Sequence, residues 1–333
     1  MGFWTGSPPP APRRPPRSAR LTSGLLSLVS LAALLGACGA PKARQDSPPP
    51  SKGLQVVTTF LPITLLTRAV AGDCAQVSSL VPASLGPHDF QAKPGNLLAL
   101  RQAKVLVKNG LGMETFLDAL IASAENPQLL VIDSSRGVRT IESGDGHHNE
   151  PSQAGEHHHG SVNPHIWLDP LRAAQQVSTI GEGLAKADPG CAEGYRRRAA
   201  ATTAQLRQLN TELARQLQPF RGKTFVAFHD VAPYFAERYG LKVQFLVDVP
   251  EINPTPADLQ RVAEAVKASQ LQAVLIEPQA AARSFNALAQ DLGVRIGQFD
   301  PLETGSEEAS KDPATYFSVM RRNGANLVKA FGG

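Results

Sequence analysis

Cysteine is scarce in this 333-residue chain: there are three, and no two share a C-x-x-C spacing, which leaves little room for a thiolate metal site. No H-E-x-x-H, G-x-S-x-G or comparable catalytic motif occurs anywhere, so the usual sequence grounds for a hydrolase are missing. The apolar run from Leu21 to Leu35 is too short, and too broken by Ser and Gly, for a comfortable membrane span. A surplus of one charge is lacking as well. Lys and Arg number 33 against 29 acids, and Arg13, Arg14, Arg17 and Arg20 alone account for the excess of four. The chain beyond them is formally neutral and has no electrostatic reason to bind nucleic acid. Histidine is also sparse. Six of the eight lie between Asp145 and Pro170, and the others are His88 and His229.

What is present begins with a targeting pattern. The four arginines, the short apolar run and the small residues Gly36 and Ala37 before Cys38 make a secretory signal. Leu35-Gly36-Ala37-Cys38 resembles the lipobox of bacterial lipoproteins, which implies cleavage before Cys38 and lipid on that residue. The Pro-rich stretch after it, with no hydrophobic pattern, is a semi-extended tether to a membrane surface. With Cys38 lipidated, Cys74 and Cys191 remain as a pair. In an exported protein such a pair often forms a disulfide, but sequence leaves open whether the two approach.

From Leu54 onward, short β-branched runs alternate with helical patterns. LQVVTTF, VSSLV, KVLVKNG and LLVID read as strands in the first half. TFVAFH, VQFLV, AVLIE and VRIGQF do so in the second. Such alternation implies mainly parallel sheets flanked by helices. Between the halves lies an Ala-, Leu-, Gln- and Arg-rich stretch without strand signal, read as one long helix. The expected organisation is α/β, with two similar lobes joined by that helix. The divisions are a signal over 1–37, the lipidated Cys and tether over 38–53, and an N-terminal lobe over 54–188. The linking helix takes 189–219 and a C-terminal lobe 220–333. The body is expected to be a monomer.

The histidines sort by context. His147, His148, His157, His158 and His159 sit among Gly, Ser, Asn and Glu in a solvated loop over 145–161, a soft collector of transition metal. His165, in NPHIWLDP, is held between a turn and a Trp-Leu anchor. His229 ends the strand TFVAFH, Asp300 directly follows VRIGQF, and His88 lies in the loop after VSSLV. Ligands of open α/β sheets bind beyond the carboxyl ends of strands. His88, His165, His229 and Asp300, two from each lobe, therefore converge on the inter-lobe cleft, and three imidazoles with one carboxylate suit tetrahedral Zn²⁺.

PHDFQAKPGN, KNGLGMETFL, NPHIWLDP, FHDVAPYFAERYGL, IEPQ and FDPL together resemble the solute-binding lipoproteins of zinc and manganese ABC importers, over essentially the whole chain from Leu54. The resemblance implies metal capture between the lobes, a rigid linking helix and delivery to a membrane permease. It carries a ligand role to His88, His165, His229 and Asp300. The His-rich insert and His229, where manganese-type members carry Glu, point to zinc, with Mn²⁺ the alternative. Asn253 departs from the Glu that many zinc-type members carry there. Asp89, Asp169, Asp230 and Glu277 are candidate acceptors for the ligands' other ring N–H groups. A secreted zinc hydrolase and an adhesin-like lipoprotein with a structural metal remain alternatives.

Overall fold

The computed structural model describes residues 53–88, 90–142, 162–247, 254–278 and 283–333. The lipobox with Cys38, Asp89, the His-rich loop and Asn253 lie outside them. No described helix is long and apolar enough to cross a membrane.

The first half is built on β1 (Leu54–Thr58), α1 (Leu61–Ala71), β2 (Ala75–Ser79), α2 (Pro94–Gln102), β3 (Val105–Lys108), α3 (Leu117–Ala124) and β4 (Leu130–Asp133). Its four strands form one parallel sheet in the order β2-β1-β3-β4. The central β3 is apolar on both faces, with Val105, Leu106 and Val107 fully buried, as a strand covered by helices on either side must be. The edge strands are more exposed, and β2 has the polar sequence AQVSS.

Two helices follow. α4 (Pro170–Ala187) is capped by Asp169, which accepts the Leu171 N–H, and has Pro170 at its first position. α5 (Ala192–Leu217) is 26 residues long, roughly 39 Å at 1.5 Å per residue. Its buried stripe, Tyr195, Ala199, Thr202, Leu206, Leu209, Leu213 and Leu217, recurs every three or four residues and lies against its neighbours, α4 above all. Cys74 and Cys191 are joined in a disulfide, which fastens the end of α1 to the start of α5.

The second half comprises β5 (Thr224–His229), α6 (Pro233–Tyr239), β6 (Lys242–Val247), α7 (Pro256–Ser269), β7 (Ala273–Ile276), α8 (Arg283–Leu292), β8 (Arg295–Gln298) and α9 (Ala314–Ala330). β5 pairs with β6 and β7 with β8, both parallel, and β5 adjoins β7. The architecture is the expected two-lobed α/β fold. α9 is not among the helices expected from the sequence: its buried Tyr316, Met320, Asn323 and Leu327 keep a helical period, but the polar run RRNG spans the middle of it. That helix returns to pack on α5, α1 and β8. The main apolar core is continuous through both halves: Phe60 meets Trp167 edge-on at 5.2 Å, and Phe299 packs against Phe225 and Phe235.

Candidate metal centre

Each half sends two loops toward one point. His229 ends β5, and the turn after β8 leads to Glu303. His88 lies in the loop beyond β2, whose start is tied back to β1 by the Leu80 and Val81 amides on the Thr58 and Thr59 carbonyls. His165 is fixed from behind. The Pro164 carbonyl accepts from Asn109 Nδ2 at 3.0 Å, and Asn109 Oδ1 accepts from Gln176 Nε2. Buried Glu114 in turn accepts the Asn109 and Gly110 N–H groups and the Thr59 hydroxyl. The NGLGME motif is thus a frame for the His165 segment.

His88, His165, His229 and Glu303 each offer a ligand atom, and the four atoms lie within 4.8 Å of one another. Glu303 Oε1 stands 3.2 Å from His88 Nε2, 3.2 Å from His165 Nε2 and 3.6 Å from His229 Nε2. The Nε2 atoms of His165 and His229 are 3.4 Å apart. A tetrahedron with Zn–N and Zn–O bonds of about 2.0–2.1 Å has edges of about 3.3–3.4 Å, so these spacings fit that ion. The side chains of His165, His229 and Glu303 are fully buried and that of His88 nearly so.

The other ring nitrogens are engaged where they set the tautomer. His165 Nδ1 donates to Asn163 Oδ1 at 2.9 Å, and Asn163 Nδ2 donates to Asp230. His229 Nδ1 donates to Glu277 Oε1 at 2.5 Å. With Nδ1 donating in each ring, both Nε2 atoms turn toward each other and toward a carboxylate oxygen, an arrangement of acceptors that a metal ion or a proton would bridge. Glu303 Oε2 is buried with no hydrogen-bond partner among the described residues, which a metal bond would satisfy. Without metal, protons serve. Burial lowers the His165 pKa to about 4. Burial would lower His229 too, but the carboxylates of Glu277 and Glu303 overcome it and hold the imidazole well above its usual value. Glu303 is the counterpart: burial would raise it, yet His88 and His229 hold it well below the carboxylate range.

Three of the four expected ligands meet, and the fourth does not. Asp300 is absent from the group, and Glu303 stands in its place. Both Asp300 oxygens are committed, Oδ1 to the Leu302 N–H at 2.8 Å and Oδ2 to Arg322 Nη2 at 2.9 Å. The strand-end rule selected the first acid after β8, whereas the chain turns through Pro301 and Leu302 before an acid faces the cleft. Glu277 does receive a ligand's ring N–H, and Asp230 acts one step away through Asn163. Asp169 does neither of these things: buried, it caps α4 and accepts from Arg172 and from Nε and Nη2 of Arg238. Asn163, Asn109 and Glu114 were not singled out from sequence, because amides and a carboxylate within loop motifs carry no metal-binding signal of their own.

Residues 56–330 match the family model described as zinc-uptake complex component A, periplasmic. A zinc-binding lipoprotein, AdcA, of Streptococcus pneumoniae is 30% identical over 300 residues, covering 90% of this chain but 59% of its own length. The chain thus spans about three fifths of that relative. The high-affinity zinc uptake system protein ZnuA of Bacillus subtilis is 27% identical over 302 residues, with 90% of this chain and 95% of the relative covered. The crystal structure of Zn(II)-bound AdcA from Streptococcus pneumoniae superposes with a TM-score of 0.71 at 29% identity, covering 84% of this chain and 58% of that one.

Proposed function

The chain belongs to the family of periplasmic zinc-uptake component A, and we propose that it captures Zn²⁺ outside the cytoplasm and passes it to an ABC-type permease. His88, His165, His229 and Glu303 hold the ion. The observation that carries this reading is the convergence of three Nε2 atoms and one carboxylate oxygen in a buried cluster with zinc-like spacings. The family consists of metal-binding transport components, so the secreted hydrolase is set aside. The closed set of four donors agrees with that, since a catalytic zinc keeps a position for water. The names of the relatives support zinc and not manganese, in keeping with an imidazole-rich site.

Cys38 and the Pro-rich tether anchor the body to a membrane surface near the permease. The His-rich loop over 145–161 binds further zinc more weakly and raises its concentration beside the cleft. Glu142 and Val162 close the base of that insert in an antiparallel bridge, three residues before His165.

The test is a chelator-competition titration of the full chain with zinc and with manganese, repeated on a chain lacking 145–161. One tight zinc that manganese does not displace, retained without the loop, is the expected result. Loss of the tightest equivalent with the loop, or equal competition by manganese, overturns the assignment.

A further inference from the structure

Glu303 reaches the centre through a turn whose geometry is unusual. Leu302 is fully buried and has φ of +64°, in the left-handed region that a branched side chain rarely occupies. The turn is clamped at both ends. Before it, the Asp300 amide donates to Asn323 Oδ1 at 2.9 Å, and Asn323 Nδ2 donates back to the Asp300 carbonyl at 2.7 Å, which fixes the end of β8 to α9. The ring of Pro301 fixes that residue's own φ, and its carbonyl accepts from Trp167 Nε1 at 2.8 Å, two residues beyond His165. After it, the Gly305 N–H donates to the Ala83 carbonyl at 2.7 Å, in the loop that carries His88. Between the clamps, the Leu302 amide donates to Asp300 Oδ1 at 2.8 Å, the closure of an Asx turn. That bond holds the left-handed residue, and the left-handed residue turns the next side chain inward.

We propose that Asp300 is a positioning residue for Glu303: its carboxylate closes the turn that presents Glu303 to the three imidazoles, and it takes no metal itself. This rests on the four-residue centre proposed above. The role of Asp300 Oδ1 is that of an acceptor and needs no charge. Asp300 Oδ2, on the half-exposed Arg322, is dispensable to it.

The experiment is a double-mutant cycle on the full chain, with zinc affinity read by chelator competition and the ligand set by the visible spectrum of bound Co²⁺. Asp300→Ala weakens zinc by about 10- to 100-fold, the range for residues that orient a ligand. Its Co²⁺ spectrum moves to that of Glu303→Ala. In the Glu303→Ala background the same substitution has no further effect, within about twofold. Asp300→Asn keeps an acceptor for the Leu302 N–H and restores wild-type affinity and spectrum. If Asp300→Ala does not fold, Asp300→Ser, whose hydroxyl closes such a turn more weakly, replaces it in the cycle. The proposal is overturned if the Asp300 effect persists in full without Glu303, which would make Asp300 a ligand or a purely structural residue. It is overturned equally if Asn is as damaging as Ala. A Glu303→Ala chain with unaltered zinc affinity and Co²⁺ spectrum would instead remove the four-residue centre itself.

Discussion

His165 and His229 are equally buried, yet their protonation is held in opposite directions. His165, from the first half of the chain, leans on the neutral amide of Asn163, and burial takes its pKa down to about 4. His229, from the second half, faces the carboxylates of Glu277 and Glu303 and stays well above the usual imidazole value. Burial and the Glu303 carboxylate are common to both, so the charge of the Nδ1 partner, neutral Asn163 or anionic Glu277, decides. One half of the centre waits as a neutral imidazole with its lone pair ready. The other waits as an imidazolium whose proton occupies the place between the acceptors that the proposed metal would take. On the proposed function, zinc should therefore exchange for a proton at His229 but not at His165.

The bluntest way to break the comparison is to remove a proposed ligand. His229→Ala and Glu303→Ala should each weaken the tight zinc site by more than about 100-fold, beyond the range for residues that only orient ligands, as read by chelator competition. Next in size, Asn163→Ala should cost about 10- to 100-fold in affinity while leaving proton release per zinc unchanged. Glu277→Gln should do the reverse of the second part. It removes a carboxylate that keeps His229 charged, so release near neutral pH falls from about one proton to a fraction, measured by calorimetry in buffers of different ionisation enthalpy.

A pH series sharpens the same contrast. While His229 carries its proton, apparent zinc affinity should fall about tenfold for each unit of acidification. In the metal-free chain the two histidines act on stability with opposite signs. The His165 pKa is lowered on folding, so its stability contribution is present above about 6.5 and is lost as pH falls toward about 4. The His229 pKa is raised, so its contribution is complete below about 6.5 and is lost as pH rises through the folded value. Thermal melts of His165→Gln should show a flatter acid limb and those of His229→Gln a flatter alkaline limb. Identical limbs in the two variants would dissolve the distinction. The smallest effect on zinc belongs to a change far from the centre. Cys74→Ser with Cys191→Ser opens a bridge across a sequence separation of 117 and should cost about 2–5 kcal/mol of stability. The tight zinc affinity of the folded fraction should not move.

Much of the centre was legible before the fold was known, for a physical reason that holds at each position. His229 could be placed because TFVAFH is a strand whose carboxyl end must face the cleft. His165 could be placed because NPHIWLDP couples a turn to a buried Trp167. Asp300 lies outside the group because the rule that located it specifies where a strand stops and says nothing about where the following loop points. The left-handed Leu302, which separates the acid that turns from the acid that faces the imidazoles, has no signature in composition or period. Cys74 and Cys191 could be named as a pair but not joined, since their approach depends on how α1 packs on α5.

The sequence alone determined that parallel sheets would be covered by helices, that one long helix would join two halves, and that imidazoles would gather at strand ends. Those features follow from local pattern, because burial on a strand or a helix face is periodic along the chain. Tertiary structure decided which carboxylate lies among the three imidazoles, which histidine keeps its proton, and which buried acids support the histidines and which hold arginines instead. The gathering of Glu303 and Glu277 on the histidines depends on distances of 2.5–3.6 Å between residues 48 to 215 positions apart, and on charges brought together only when both halves close on one point.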